Sequence, residues 1–145
     1  KEIGEWEKSV VIIVPDHYGA YPSRQEIKNP VDRHRIPLIF TGGVVKETKR
    51  IETIASQVDI AATLLHQLGI PHDQFVFSKN ILNPSSPHYA FFVDQSQFGM
   101  VNESGAVVYN CDSESVKYMS DGCDENNLVF GKVFLQKLYD DLDKR

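Results

Sequence analysis

The sequence feature that most constrains the fold is a five-residue apolar run, VVIIV (10–14), which leads through Pro15 into Asp16 and His17. A run that is apolar throughout and rich in β-branched residues is typical of a strand covered on both faces, as in a parallel sheet. Ligands of an open α/β sheet bind beyond the carboxyl ends of its strands. We therefore expect Asp16 and His17 to face a binding site.

The elements that follow this strand predict an α/β fold. A polar loop (20–35) containing two prolines leads into a second short apolar strand, IPLIF (36–40). The stretch SQVDIAATLLHQLGI predicts a helix that Asp59 caps and Gly69 ends. Its buried face is expected to consist of four apolar residues, Ile60, Leu64, Leu65 and Leu68.

The chain beyond residue 84 predicts an antiparallel C-terminal extension. Three stretches have the alternating, hairpin-like pattern of antiparallel strands: YAFFVDQ, FGMVNES and AVVYN. The turn between the last two is expected at 102–105. An amphipathic helix is predicted over 126–143, and its buried face is expected to consist of Leu128, Phe134, Leu135, Leu138 and Leu142.

Composition excludes several classes of partner. The net charge of −5 at pH 7 argues against nucleic acid or an anionic membrane surface, because both require a basic face. No apolar run reaches the roughly 20 residues of a membrane-spanning helix, so the chain itself is expected to be soluble. Since it begins without Met and enters its first strand almost at once, we expect it to be part of a longer protein.

The Asp16–His17 pair has the chemistry of a metal site. A carboxylate oxygen and an imidazole nitrogen suit Zn, Mn or Fe, whereas Mg and Ca prefer shells made only of oxygen. Adjacent residues on an extended chain point in opposite directions, so both reach one ion only if the backbone turns, which Tyr18 and Gly19 would allow. The alternative is that Asp16 caps a turn and His17 is an ordinary surface residue.

Three motifs, in order and spacing, carry a family resemblance: VVIIVPDHYG, HRIPLIFTGG and IETIASQVDIAATLLHQLGI. They resemble the C-terminal part of the alkaline phosphatase/sulfatase superfamily, and most closely its branch of lipoteichoic acid synthase-like sulfatases and phosphoglycerol transferases. Ala62 stands where that branch often has Pro in its QVDIAPTLL-like helix. The resemblance covers at least 10–82, and FGMVNESGAVVYN and GKVFLQKLYDDL are similar to the tail of bacterial members.

This resemblance implies a fold and a division of the chain. Residues 1–83 would form the C-terminal part of a sulfatase-like catalytic domain, an alkaline phosphatase-like α/β/α sandwich that carries the Asp-His motif. Residues 84–145 would add antiparallel hairpins and a terminal helix packed on the same domain.

The resemblance also implies roles for individual residues. Asp16 and His17 match the metal-binding pair of the family, with Mn or Zn favoured and Mg or Ca possible. His34 would be a second-site ligand, a phosphate contact or a surface residue. Apart from the resemblance, Arg24, Arg33 and Arg35 lie in or next to the long loop. Their guanidinium groups could hold a phosphate or sulfate bidentately, or they are solvated loop residues.

The sequence lacks the remainder of such a site. Catalysis in this superfamily needs a metal-bound Thr or formylglycine nucleophile and a further acidic ligand, and both would come from the upstream half of the catalytic domain. We therefore expect this chain alone to be inactive. The longer protein would be a membrane-anchored, extracytoplasmic enzyme that cleaves or transfers a sulfate or phosphate ester, for example a phosphoglycerol group onto a cell-envelope glycan.

Two other functions stay open at this point. A phosphomutase or nucleotide pyrophosphatase of the same superfamily would use the same ligands, whereas a non-catalytic domain would keep the fold only for binding. The remaining histidines, His66, His72 and His88, are expected to have surface or structural roles. In an exported protein Cys111 and Cys123 would lie close enough for a disulfide, with Cα atoms within about 7 Å; in a cytosolic protein both would stay reduced.

Overall fold

The computed structural model describes residues 4–18 and 29–145. The chain forms two compact units, Lys1–Arg50 and Ile51–Arg145. The α/β fold class predicted from the sequence is confirmed. The predicted division after residue 83 stays a prediction.

The first unit contains a two-stranded antiparallel sheet of β1 (Val11–Ile13) and β2 (Ile39–Thr41). The expectation of a parallel strand covered on both faces is therefore wrong for this pair. Ile13 and Ile39 lie opposite each other in the ladder and are 54% and 49% exposed. An apolar β-branched run favours a strand, but neither its direction nor the covering of its second face follows from composition.

Two short 3-10 helices flank these strands in sequence. The first, Trp6–Lys8, is tied to the residues after β2 because the Gly43 N–H donates to the Trp6 carbonyl at 2.9 Å. The second, Pro30–His34, is capped at its N-terminus by Asn29, whose side chain accepts from the Val31 N–H at 2.9 Å. It lies within the predicted loop 20–35, of which residues 20–28 lie outside the described part of the chain.

The second unit is built on a four-stranded antiparallel sheet in the order β3-β4-β5-β6. Its strands are β3 (Tyr89–Asp94), β4 (Gln97–Asn102), β5 (Gly105–Asn110) and β6 (Ser115–Met119). The first three strands and the turn at 102–105 were predicted and are confirmed. Strand β6, with the sequence SVKYM, was not predicted; it lies at the edge of the sheet, and three of its five residues are exposed.

Two α-helices complete this unit, α1 (Asp59–Gln67) and α2 (Asn126–Leu142). Both were predicted, but two residues of their expected buried faces are exposed: Leu68 at 55% and Leu142 at 67%. Leu68 lies just past the end of α1, which instead buries Asp59, Ala62 and Thr63. Leu142 is in the last turn of α2, whose fully buried residues, Asn127 and Gly131, are in its first half.

Gly131 allows α2 to approach the sheet closely. A Cβ atom at this position would lie 2.4 Å from Phe98 Cε2 and 3.3 Å from Met100 Cβ. Phe98 and Met100 are at most 1% exposed and belong to the core of the unit. The close packing of α2 on the sheet therefore requires that residue 131 has no side chain.

We expect Gly131→Ala to destabilise the protein by about 1–3 kcal/mol, the usual cost of overpacking a filled core. On helix propensity alone the same change would stabilise α2 by about 1 kcal/mol, so the sign of the effect separates packing from propensity. Urea denaturation monitored by circular dichroism measures it. Val129→Ala, at a position 59% exposed, is the control; equal or greater stability of Gly131→Ala would contradict the packing argument.

The two cysteines lie at opposite ends of β5. Cys111 directly follows the last residue of the strand, whereas a Cβ atom on Gly105, its first residue, would lie 3.0 Å from Cys123 Cβ. Six residues of extended strand span about 20 Å. The expectation that Cys111 and Cys123 lie within bonding distance is therefore wrong, and both thiols are free.

Candidate metal centre

Asp16 and His17 lie three and four residues beyond the end of β1, in a bend of the chain. Asp16 Oδ1 accepts a hydrogen bond from the His17 backbone N–H at 2.9 Å. This local bond turns the two side chains toward each other, so that Asp16 Oδ2 lies 3.6 Å from His17 Nε2. The backbone turn that a shared ion requires is therefore present.

The other nitrogen of the His17 ring fixes its tautomer. Nδ1 lies 2.8 Å from the Tyr18 carbonyl oxygen. Because a carbonyl oxygen only accepts, Nδ1 carries the proton in this contact, and in the neutral ring Nε2 keeps its lone pair. A hydrogen bond from the distal nitrogen to a carbonyl is also what orients metal-binding histidines.

In this arrangement two electron-pair donors, Asp16 Oδ2 and His17 Nε2, face each other. A cation between them could bind to both atoms. A proton on Nε2 would instead pair the ring with the carboxylate. The side chains of Asp16 and His17 are 88% and 79% exposed, which leaves room for further ligands. Within residues 4–18 and 29–145, no group of three or more His, Cys, Asp or Glu side chains could hold a metal ion.

The other predicted site residues are in the loop segment before β2. His34 is the last residue of the second 3-10 helix and is half-buried, and Arg35 follows it with an exposed side chain. Arg24 lies outside the described residues. Contact of these three residues with a substrate oxyanion stays a prediction.

The expectation that Asp59 caps α1 is wrong, because Asp59 is the first residue of the helix and the N-cap, Val58, makes no side-chain capping bond. Asp59 is 1% exposed, and its Oδ2 accepts from the backbone N–H of Ser56, three residues earlier, at 2.8 Å. The same carboxylate accepts from the Lys79 backbone N–H at 2.9 Å and from Lys79 Nζ at 2.5 Å. Asp59 therefore joins the start of α1 to a segment twenty residues further along the chain.

Lys79 completes this buried pair and is itself only 9% exposed. Its ammonium group also donates to the Tyr89 carbonyl at 2.9 Å and lies 4.3 Å from the centre of the Tyr89 ring. Burial raises the pKa of the Tyr89 hydroxyl, and the Asp59 carboxylate adds to that rise. The neutral phenol is therefore favoured in the folded state, and the stability it contributes is lost as the pH rises through this raised pKa.

Two hydroxyl groups in the segment before α1 form hydrogen bonds with the backbone of distant residues. Ser56 Oγ donates to the Phe91 carbonyl at 3.0 Å and accepts from the Phe91 N–H at 2.8 Å. Thr53 Oγ1 donates to the Ile81 carbonyl at 3.1 Å. These bonds attach the segment before α1 to β3 and to the segment after Lys79. They account for both hydroxyls without a catalytic role.

Comparisons with known proteins show which fold the chain has. No protein-family model matches the chain. A solved structure of a protein in the alkaline phosphatase superfamily from Vibrio parahaemolyticus has a similar fold, with a TM-score of 0.67 and 21% identity. The match covers 95% of this chain and 36% of that one. The resemblance predicted from the sequence is confirmed: the chain has the fold of part of an alkaline phosphatase superfamily protein.

A relative found by sequence matches a smaller part of the chain. Lipoteichoic acid synthase 2 from Bacillus subtilis is 28% identical over 90 residues, which cover 54% of this chain and 14% of that protein. The chain thus spans a minor part of both proteins. The superfamily includes hydrolases and transferases, and its members are typically metal-dependent. None of the helices in the described part of the chain combines the length and apolar character that a bilayer crossing requires.

Proposed function

We propose that Asp16 and His17 are two metal ligands of a sulfatase-like enzyme that cleaves or transfers a sulfate or phosphate ester. The observation that carries this proposal is the convergence of Asp16 Oδ2 and His17 Nε2, 3.6 Å apart, with Nδ1 of the same ring held by the Tyr18 carbonyl. The similarity to lipoteichoic acid synthase 2 supports phosphoglycerol transfer to a cell-envelope glycan as the specific reaction.

The chain's own contribution to this chemistry is to position the two ligands. The hydrogen bond from the His17 N–H to Asp16 Oδ1 holds the carboxylate beside the ring, with Oδ2 3.6 Å from Nε2, and the Tyr18 carbonyl holds the tautomer that offers Nε2. A bound divalent ion would activate the nucleophile and neutralise charge on the transferred group. One nitrogen and one carboxylate oxygen favour Mn or Zn over Mg or Ca.

The remaining ligands and the nucleophile would come from a further portion of the same catalytic domain, which is the proposed partner of this chain. The sheet of the first unit supports this, because the cross-strand pair Ile13 and Ile39 is about half exposed. An apolar pair on a sheet face is stabilised by a covering layer. Such a protein would be anchored in the membrane, with this domain outside the cytoplasm.

We expect the isolated chain to bind Mn²⁺ at Asp16 and His17 with a dissociation constant weaker than about 1 μM, because two ligands leave most of the shell to water. Paramagnetic broadening of NMR signals locates the ion, and calorimetry measures the affinity. Asp16→Ala should abolish the broadening at His17, whereas Asp121→Ala, at another exposed aspartate, should not change it. Binding tighter than about 1 μM that survives Asp16→Ala would refute the ligand assignment.

A further inference from the structure

A second cluster of metal-binding side chains lies in the other unit, where two histidine rings meet. His66 is in the last turn of α1, and His72 is in the segment that follows the helix. His66 Nδ1 and His72 Nε2 are 3.4 Å apart, and the ring planes are inclined at 62°. The proposed sulfatase-like function does not use either ring.

The distance between these nitrogens fits a shared ion. Two imidazole nitrogens bound to one tetrahedral Zn²⁺ at 2.0–2.1 Å lie about 3.3–3.4 Å apart. Without an ion the rings can share a single hydrogen bond, but 3.4 Å is long for one, since the usual range is about 2.7–3.2 Å. The pair thus has the spacing of two ligands of one metal.

The backbone between the two histidines holds them in place. Gly69, with φ of +67°, ends α1 in the left-handed conformation, and the Ile70 N–H donates back to the Leu65 carbonyl at 2.9 Å. Beyond the turn, the His72 carbonyl accepts from the Phe75 N–H at 2.9 Å. Both rings are therefore attached to hydrogen-bonded segments, which reduces the entropy lost on binding.

We infer that His66 and His72 form a two-ligand site for a late first-row divalent metal ion: Zn²⁺, Ni²⁺ or Cu²⁺. Neutral imidazole suits these ions, whereas Mg²⁺ and Ca²⁺ take oxygen ligands. His66 is exposed and His72 half-buried, so the remaining positions are open to water. The net charge of −5 attracts a cation to the protein.

The test is a Zn²⁺ titration of the whole chain carrying His17→Ala, which removes the only nitrogen ligand proposed for the site at Asp16 and His17. Nitrogen-detected NMR of the imidazoles distinguishes the ring atoms. We expect His66 Nδ1 and His72 Nε2 to shift together at the lowest Zn²⁺ concentrations, and EDTA to reverse both shifts.

The affinity test uses matched variants in the same His17→Ala background. His66→Gln and His72→Gln should each weaken Zn²⁺ binding by about tenfold or more, because loss of even an outer-shell partner typically costs 10–100-fold. His88→Gln is the control, since His88 instead pairs with Glu103 at 3.0 Å. Zn²⁺ binding unchanged in either of the two test variants, or shifts of only one ring, would overturn the inference. Neither result bears on Asp16 and His17, so the two proposals fail separately.

Discussion

Asp59→Asn should reduce the free energy of unfolding by about 3–5 kcal/mol, which is the usual cost of removing one partner of a buried ion pair. The Asp59 carboxylate and the Lys79 ammonium group are both almost fully excluded from water. The variant leaves the ammonium group buried without a counter-charge, and it weakens the bonds that hold the start of α1. Urea denaturation followed by circular dichroism measures the loss.

The exposed pair of Asp141 and Arg145 provides the matched control for that experiment. Arg145 Nε lies 2.7 Å from Asp141 Oδ2, but the side chains are 66% and 34% exposed. Asp141→Asn should cost no more than about 1 kcal/mol, because solvent screens such pairs. Adding Lys79→Met to Asp59→Asn should recover part of the loss, since no unpaired charge then remains buried. Equal effects of Asp59→Asn and Asp141→Asn would contradict the role assigned to the buried pair.

The elements that the sequence predicts well are those specified by local patterns. The helix α1 is recognisable from its apolar spacing and from Gly69, whose positive φ ends it. The turn at 102–105 and the strands around it follow from alternation and turn chemistry. The bend at Asp16 and His17 is equally local, since the bond that makes it joins adjacent residues.

The features that were missed depend on contacts between distant parts of the chain. The partner of Asp59 lies twenty residues away, and no periodicity links Lys79 to it. The separation of Cys111 and Cys123 depends on the register of β5, which spacing in the sequence does not reveal. The antiparallel pairing of β1 with β2 likewise arises from tertiary structure. Asp59 carried one signal that could have been used, because a carboxylate at the start of an apolar helix face needs a partner when it is buried.

The hydroxyl side chains of this chain lead to an expectation about its catalytic activity. Acceleration of phosphoryl and sulfuryl transfer requires a positioned nucleophile as well as a metal ion. The hydroxyls of Thr53 and Ser56 are engaged with the backbone of their own unit. We therefore expect the purified chain to hydrolyse p-nitrophenyl phosphate and p-nitrophenyl sulfate no faster than the metal ion alone. Turnover that is abolished by Ser56→Ala would instead place the catalytic centre in this chain.

The central claim, that Asp16 and His17 are ligands of a catalytic metal, is tested most directly in a protein that joins this chain to the rest of a sulfatase-like domain. Turnover of a phosphoglycerol lipid, p-nitrophenyl phosphate and p-nitrophenyl sulfate is measured together with bound metal, for the unchanged protein and for His17→Ala. His88→Ala, which removes a histidine paired with Glu103, is the control. We predict that His17→Ala lowers both metal content and activity on at least one substrate by more than about 100-fold, since even outer-shell changes cost 10–100-fold. Full activity and full metal content in His17→Ala would contradict the claim.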